Sequence, residues 1–126
     1  MSRAVARARA AIGTRFRLGG RDPALGLDCV GLVAWAHELA GVPANYGLRG
    51  GDPARVARWC DARWRRAEDA VAGDVLLLRG GPGQLHLAVS TGRGLIHADA
   101  GLRRVVERPG DPPGTVLAMW RAGEAS

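Results

Sequence analysis

The chain has 126 residues and a formal net charge of +6, and all 18 of its basic residues are arginine. That length fits one domain, residues 1–126, large enough to bury about two-thirds of the surface its unfolded chain exposes. No apolar run is long enough to span a bilayer. The segment Ser2 to Ile12 is interrupted by arginines and lacks the apolar centre of a secretory signal, so the expectation is a chain made in the cytoplasm. The charge suits attraction to an anionic polymer without choosing which. Arginines scattered along the chain, rather than clustered on one element, argue against the competing reading of a nucleic-acid-binding protein.

From the N-terminus, residues 3–12 have helical composition, with Val5 and Ile12 expected inward and arginines outward. Residues 14–26 are loop, rich in glycine and charge. Asp28 is the natural N-cap of a helix whose apolar positions Leu32, Val33, Ala36, Leu39 and Ala40 recur at helical spacing, with Gly41 and Pro43 as stop signals. A second loop covers residues 45–51. Asp52 as N-cap and Pro53 at the first helical position then start a helix running to about Arg66, with Val56 and Trp59 on one side.

The second half is strand. Residues 73–78 read as a turn into a buried strand, and Gly80-Gly81-Pro82-Gly83 as a loop that either shapes a groove or simply connects. Leu85–Ser90 and Leu95–Ala98 form a hairpin around Thr91-Gly92-Arg93-Gly94. Residues 103–107 and 115–120 supply two more strands around a Pro109–Gly114 break. Helices first and an antiparallel sheet second is an α+β pattern.

Cys29 falls in the first turn of the helix capped by Asp28. There the unpaired backbone N–H groups and the helix dipole favour a thiolate, which is the nucleophilic form. A buried structural cysteine is the ordinary alternative, so the histidines decide. His37 lies eight residues along the same helix, roughly 12 Å away, too far for proton transfer, and reads as a surface or capping residue. If Gly92 and Arg93 form a two-residue turn, His97 lies opposite Ala88 and His86 is its diagonal neighbour on the same face, within reach of an aromatic side chain. A register slip of one residue would separate the two. Cys60, in another helix between Trp59 and Trp64, reads as a packed thiol rather than a disulfide partner. Cys29, Cys60, His86 and His97 lack the close pair that anchors a zinc site, so neither metal nor other cofactor is expected.

Phe16-Arg17-Leu18-Gly19-Gly20, Gly26-Leu27-Asp28-Cys29-Val30-Gly31-Leu32-Val33, Gly73-Asp74-Val75-Leu76, His86 opening a strand, and Leu95-Ile96-His97-Ala98 together resemble the NlpC-type cell-wall cysteine peptidases of the papain-like group. The likeness extends from about Ile12 to Glu107. An aliphatic Val30 after the cysteine, Trp35–Pro43, Tyr46 and the run Ile96–Glu107 resemble the compact branch encoded with phage tails and gene-transfer agents. The resemblance implies N-terminal helices packed on a central antiparallel sheet, with Cys29 as nucleophile, His86 as general base and acid, and His97 orienting His86. It implies peptidoglycan stem peptides as substrate, cut at the bond between D-glutamate and the diamino acid, and delivery to the periplasm and wall by a tail-like particle. Asp28, Tyr46 and Phe16 are the implied substrate-binding residues, and Asp28 is also the helix cap. Many relatives carry tyrosine in place of Phe16, tryptophan in place of Leu18 and serine in place of Val30, so hydroxyl contacts to substrate are lost here. A catalytically silent tail component is the alternative within the same resemblance.

Overall fold

The computed structural model describes residues 2–44, 51–81 and 84–123. Helix α1 (Arg3–Ala10) is capped by Ser2, whose hydroxyl accepts from Val5 N–H at 3.1 Å. Val5 and Ala8 are buried from it, but the helix ends before Ile12, which is thereby carried off the inward face and is 43% exposed, contrary to the sequence expectation. The segment expected to be loop contains a short antiparallel ribbon, β1 (Arg21–Asp22) with β2 (Gly26–Leu27).

Helix α2 (Cys29–Ala36) is apolar nearly all round and lies at the centre of the fold, with Val30, Leu32, Val33 and Ala36 buried. It stops about four residues earlier than its apolar spacing predicts. Glu38 adopts φ 58°, its N–H reaches Trp35 O at 3.3 Å, and Leu39 N–H reaches Ala34 O at 2.8 Å. That is a Schellman termination with glutamate in the left-handed position usually given to glycine. The Glu38 carboxylate meets Arg3 at 2.6 Å and Arg7 at 3.4 Å, so α1 holds the residue that ends α2.

Helix α3 (Pro53–Asp61) begins as expected, with Asp52 accepting from Ala54 N–H at 3.0 Å. Val56 and Cys60, one turn apart, are its buried residues, while Trp59 is half-buried. The helix ends at Asp61 rather than near Arg66, because Arg65–Arg66 forms strand β3 against a distant partner.

The strands β4 (Val75–Gly81), β5 (Gln84–Ser90), β6 (Gly94–Asp99), β7 (Arg104–Pro109) and β8 (Thr115–Arg121) complete a six-stranded antiparallel sheet in the order β3-β8-β4-β5-β6-β7. Its helix-facing residues, among them Leu77, Leu87, Val89, Ile96 and Trp120, join α1, α2 and α3 in the main core. Each such aliphatic side chain contributes roughly 1.5–3 kcal/mol by its burial. A bidentate contact between Arg121 and the buried Asp74, at 3.1 and 2.9 Å, locks β8 to the start of β4. The architecture is α+β with helices on an antiparallel sheet. No described helix is long and apolar enough to cross a membrane.

Candidate active site

Cys29 opens α2, half-buried, with Asp28 as its cap. Asp28 is 4% exposed, and its carboxylate does more than cap: Oδ1 accepts from Gly31 N–H at 2.8 Å and from Arg21 Nη1 at 2.6 Å, and Oδ2 accepts from Gly19 N–H at 2.8 Å. One carboxylate therefore ties the helix start to the Gly19-Gly20 loop and to β1. Arg21 continues the tie through Nη2 to the Pro43 carbonyl at 2.8 Å. The loop packs so closely that a Cβ on Gly31 would collide with the Gly20 carbonyl oxygen, which is why α2 needs glycine two residues after the cysteine.

The histidines come from the β5–β6 hairpin. Thr91 N–H bonds Gly94 O at 3.0 Å, Gly92 takes φ 87°, and the ladder pairs Ser90 with Leu95 and Val89 with Ile96. This is the register read from the sequence, and it brings His86 Nε2 to 2.7 Å from His97 Nδ1 with the rings edge-on at 85°. Since a hydrogen bond needs one donor, one of these two nitrogens carries the proton. On its far side His97 Nε2 lies 3.9 Å from Asp99 Oδ2, while Asp99 Oδ1 accepts from Leu102 N–H at 2.9 Å.

Asp28, Cys29, His86, His97 and Asp99 all line one cavity of about 370 Å³, with Phe16 and Leu18 at its wall. Burial pushes the Cys29 thiol up to about 11, and the Asp28 charge adds to the rise. Hydrogen bonds with the Leu87 and Val30 backbones and the charge of Arg21 oppose it. Desolvation thus opposes the thiolate that the helix start favours. Burial likewise pulls His86 down to about 4, with His97 adding to the fall and Asp99 opposing it. Burial also lowers His97, again against Asp99. Burial thus favours the neutral form of both imidazoles, the form that can act as a base.

His37 is the C-cap of α2, half-buried against Trp64 with Nε2 3.0 Å from Gly73 O, and is away from the cavity. Cys60 is buried, its thiol pushed up to about 12 by burial, and both cysteines are free. Gly80 and Gln84 line the cavity, but the loop expected over residues 80–83 is strand at Gly80 and Gly81, which close β4, and Pro82 and Gly83 lie outside the described residues. Tyr46 lies outside the described residues. Among the described residues no group of three or more His, Cys, Asp or Glu side chains gathers as a metal site. Two residues of this site, Arg21 and Asp99, are not singled out by the sequence. The signal for Asp99 is its place two residues beyond His97 on one strand; Arg21 has none, because β1 is too short to be read.

Helices packed on a six-stranded antiparallel sheet, with a cysteine at a helix start sharing a cavity with a histidine pair, make a papain-like fold. The sequence model of the NlpC/P60 family matches residues 13–111, and the chain belongs to that family. Among solved structures, the chain resembles the NlpC/P60 domain of the peptidoglycan hydrolase SagA, with 30% identity and a TM-score of 0.58 over 85% of this chain and 86% of that one. The peptidoglycan hydrolase RipB from Mycobacterium tuberculosis shares the fold at 24% identity and a TM-score of 0.64, over 94% of this chain and 62% of that one. The P60 domain of an antigen from M. avium subspecies paratuberculosis does so at 22% identity and 0.65, over 94% and 91%. No curated protein matches the chain in a sequence search.

Proposed function

We propose that this protein is a peptidoglycan hydrolase, a cysteine endopeptidase in which Cys29 is the nucleophile, His86 the general base and acid, and His97 the residue that orients His86. The observation that carries the reading is the 2.7 Å contact of His86 Nε2 with His97 Nδ1 in the cavity that Cys29 shares. If His86 Nε2–H donates to His97 Nδ1, the His86 Nδ1 lone pair is left to take the Cys29 proton. The thiolate so formed attacks the peptide carbonyl, giving a tetrahedral oxyanion and then an acyl-enzyme as the amine leaves with the proton from His86. His86 next deprotonates water, which releases the acyl group. The Cys29 backbone N–H is one donor to the oxyanion. His97 fixes the tautomer and ring plane of His86, and Asp99 holds the proton on His97 Nε2 by its charge.

The substrate we propose is the stem peptide, cut between D-glutamate and the diamino acid, with Phe16 and Leu18 as the apolar wall of the groove. SagA and RipB, which share the fold, are peptidoglycan hydrolases. Delivery to the wall by a tail-like particle is part of the proposal and rests on the likeness of Trp35–Pro43 and Ile96–Glu107 to the compact branch. For Asp28 the geometry favours the structural role, since Gly31, Gly19 and Arg21 already supply three donors. Digestion of purified muropeptides tests the whole reading. Wild type is expected to release fragments ending in L-alanyl-D-glutamate, and Cys29→Ala none; other products would indicate a different bond.

A further inference from the structure

Phe16 and Ala100 line the cavity of Cys29 and also an adjoining groove whose other walls include Arg15, Leu102, Arg103 and Arg104. The three arginines are fixed by backbone. Arg15 pairs with Arg104 in an antiparallel bridge, Val105 N–H bonds Thr14 O at 2.9 Å, and Phe16 N–H bonds Arg103 O at 2.9 Å. Residues directly opposed in this way have their Cβ atoms about 5 Å apart, and like charges there repel. Arg103 takes φ 62°, a left-handed conformation that disfavours any residue but glycine.

None of the three guanidinium groups has a carboxylate partner among the described residues. Asp99 is opposite Arg104 in the β6–β7 register, yet its oxygens turn to Leu102 N–H and His97. The fold thus sets three exposed arginines on the walls of this groove, two of them directly opposed in a β-bridge, where a bound anion would meet charge-complementary partners. Guanidinium forks match carboxylates in shape and charge.

We propose that Arg15, Arg103 and Arg104 form a second binding site, continuous with the cavity of Cys29, that takes a free carboxylate of the substrate peptide. The proposal rests on the peptidase reading and adds to it a requirement for an acidic substrate. It is tested with the tripeptide L-alanyl-γ-D-glutamyl-diaminopimelate and the same peptide with its carboxylates converted to amides. The proteins are wild type, an Arg15→Gln/Arg104→Gln double variant, and Arg103→Gly, which keeps the left-handed turn. Wild type should show a KM about tenfold or more lower for the acid than for the amide, as expected for charge-assisted hydrogen bonds, with kcat little changed. In the double variant that preference should vanish, and raised salt should weaken it in wild type. Equal KM values for acid and amide in wild type, or a preference that survives in both variants, would overturn the site. Calorimetric titration of Cys29→Ala with the same tripeptide separates the two claims. Arginine-dependent binding without cleavage by wild type would remove the peptidase reading and keep the site; cleavage with arginine-independent binding would do the reverse; absence of both would remove both.

Discussion

The Arg21 guanidinium lies 2.6 Å from the Asp28 carboxylate, directly behind the helix turn that presents Cys29. Both side chains are largely buried, so the pair is screened little by solvent, and Asp28 also carries the cap and the Gly19 contact. Asp28→Ala removes a cap and takes the carboxylate away from a largely buried guanidinium, which keeps its carbonyl contacts to Gly20 and Pro43. We expect a loss of about 2–3 kcal/mol in urea unfolding, whereas Asp28→Asn, which still caps, should lose less. Because Arg21 already sits on the carboxylate, acetylating the L-alanine amine of the stem should leave wild-type kcat/KM nearly unchanged. A drop in wild type that disappears in Asp28→Asn would instead assign Asp28 to the substrate amine.

His86→Ala should lower kcat/KM by about 10²–10⁴, the usual worth of a positioned general base. His97→Ala should fall between that and wild type, with His97→Asn or His97→Gln recovering part of the loss by restoring a hydrogen-bond partner to His86 Nε2. His37→Ala should cleave like wild type, since its ring caps α2 and meets Gly73 and Trp64 rather than the cavity. Equal damage from His37→Ala and His86→Ala in folded proteins would remove the hairpin from the mechanism.

The acid limb of kcat/KM should lie well below the ordinary histidine range. His86 is held down at about 4, chiefly by burial. Above that pH it is neutral and can accept the Cys29 proton; below it the imidazole is charged and the rate should fall. Stability follows the same sign. The unfolded chain binds a proton on His86 near its ordinary 6.5, the folded chain only near 4, so stability is full above 6.5 and declines as pH drops toward 4. The decline from this group is up to about 3 kcal/mol. Urea midpoints of wild type and His86→Asn measured across that window should converge as the pH falls.

Much of the site is legible in sequence because its determinants are local. The Asp28 cap, the Pro53 start of α3 and the Gly92 turn each act within a few residues, and the turn fixes the register that joins His86 to His97. The features that escape are set from far along the chain. Apolar spacing carries α2 on through Leu39 and Ala40, but Arg3 and Arg7 of α1 hold Glu38 in the conformation that ends it. Arg65-Arg66 looks helical until Trp120 and Arg121 pair with it as β3. The upward push on the Cys29 thiol is likewise invisible locally, since it comes from burial in the folded chain.

Gly31→Ala should unfold more easily than wild type by about 1–3 kcal/mol, the typical range for overpacking, because the added Cβ meets the Gly20 carbonyl oxygen. The loop that Asp28 organises would have to move. Thermal denaturation reads the loss, and reduced cleavage in the protein that remains folded would show that the loop position matters to Cys29.

The proposed mechanism gives the covalent chemistry to Cys29 alone, and alkylation distinguishes it from Cys60. Cys29 is half-buried on the cavity while Cys60 is enclosed in the core, its thiol pushed up to about 12. Folded protein treated with limiting iodoacetamide, then assayed on muropeptides and mapped by mass spectrometry, should lose activity in proportion to label on Cys29, with Cys60 unmodified. Label on Cys60 first, or full label on Cys29 with cleavage retained, would contradict the account.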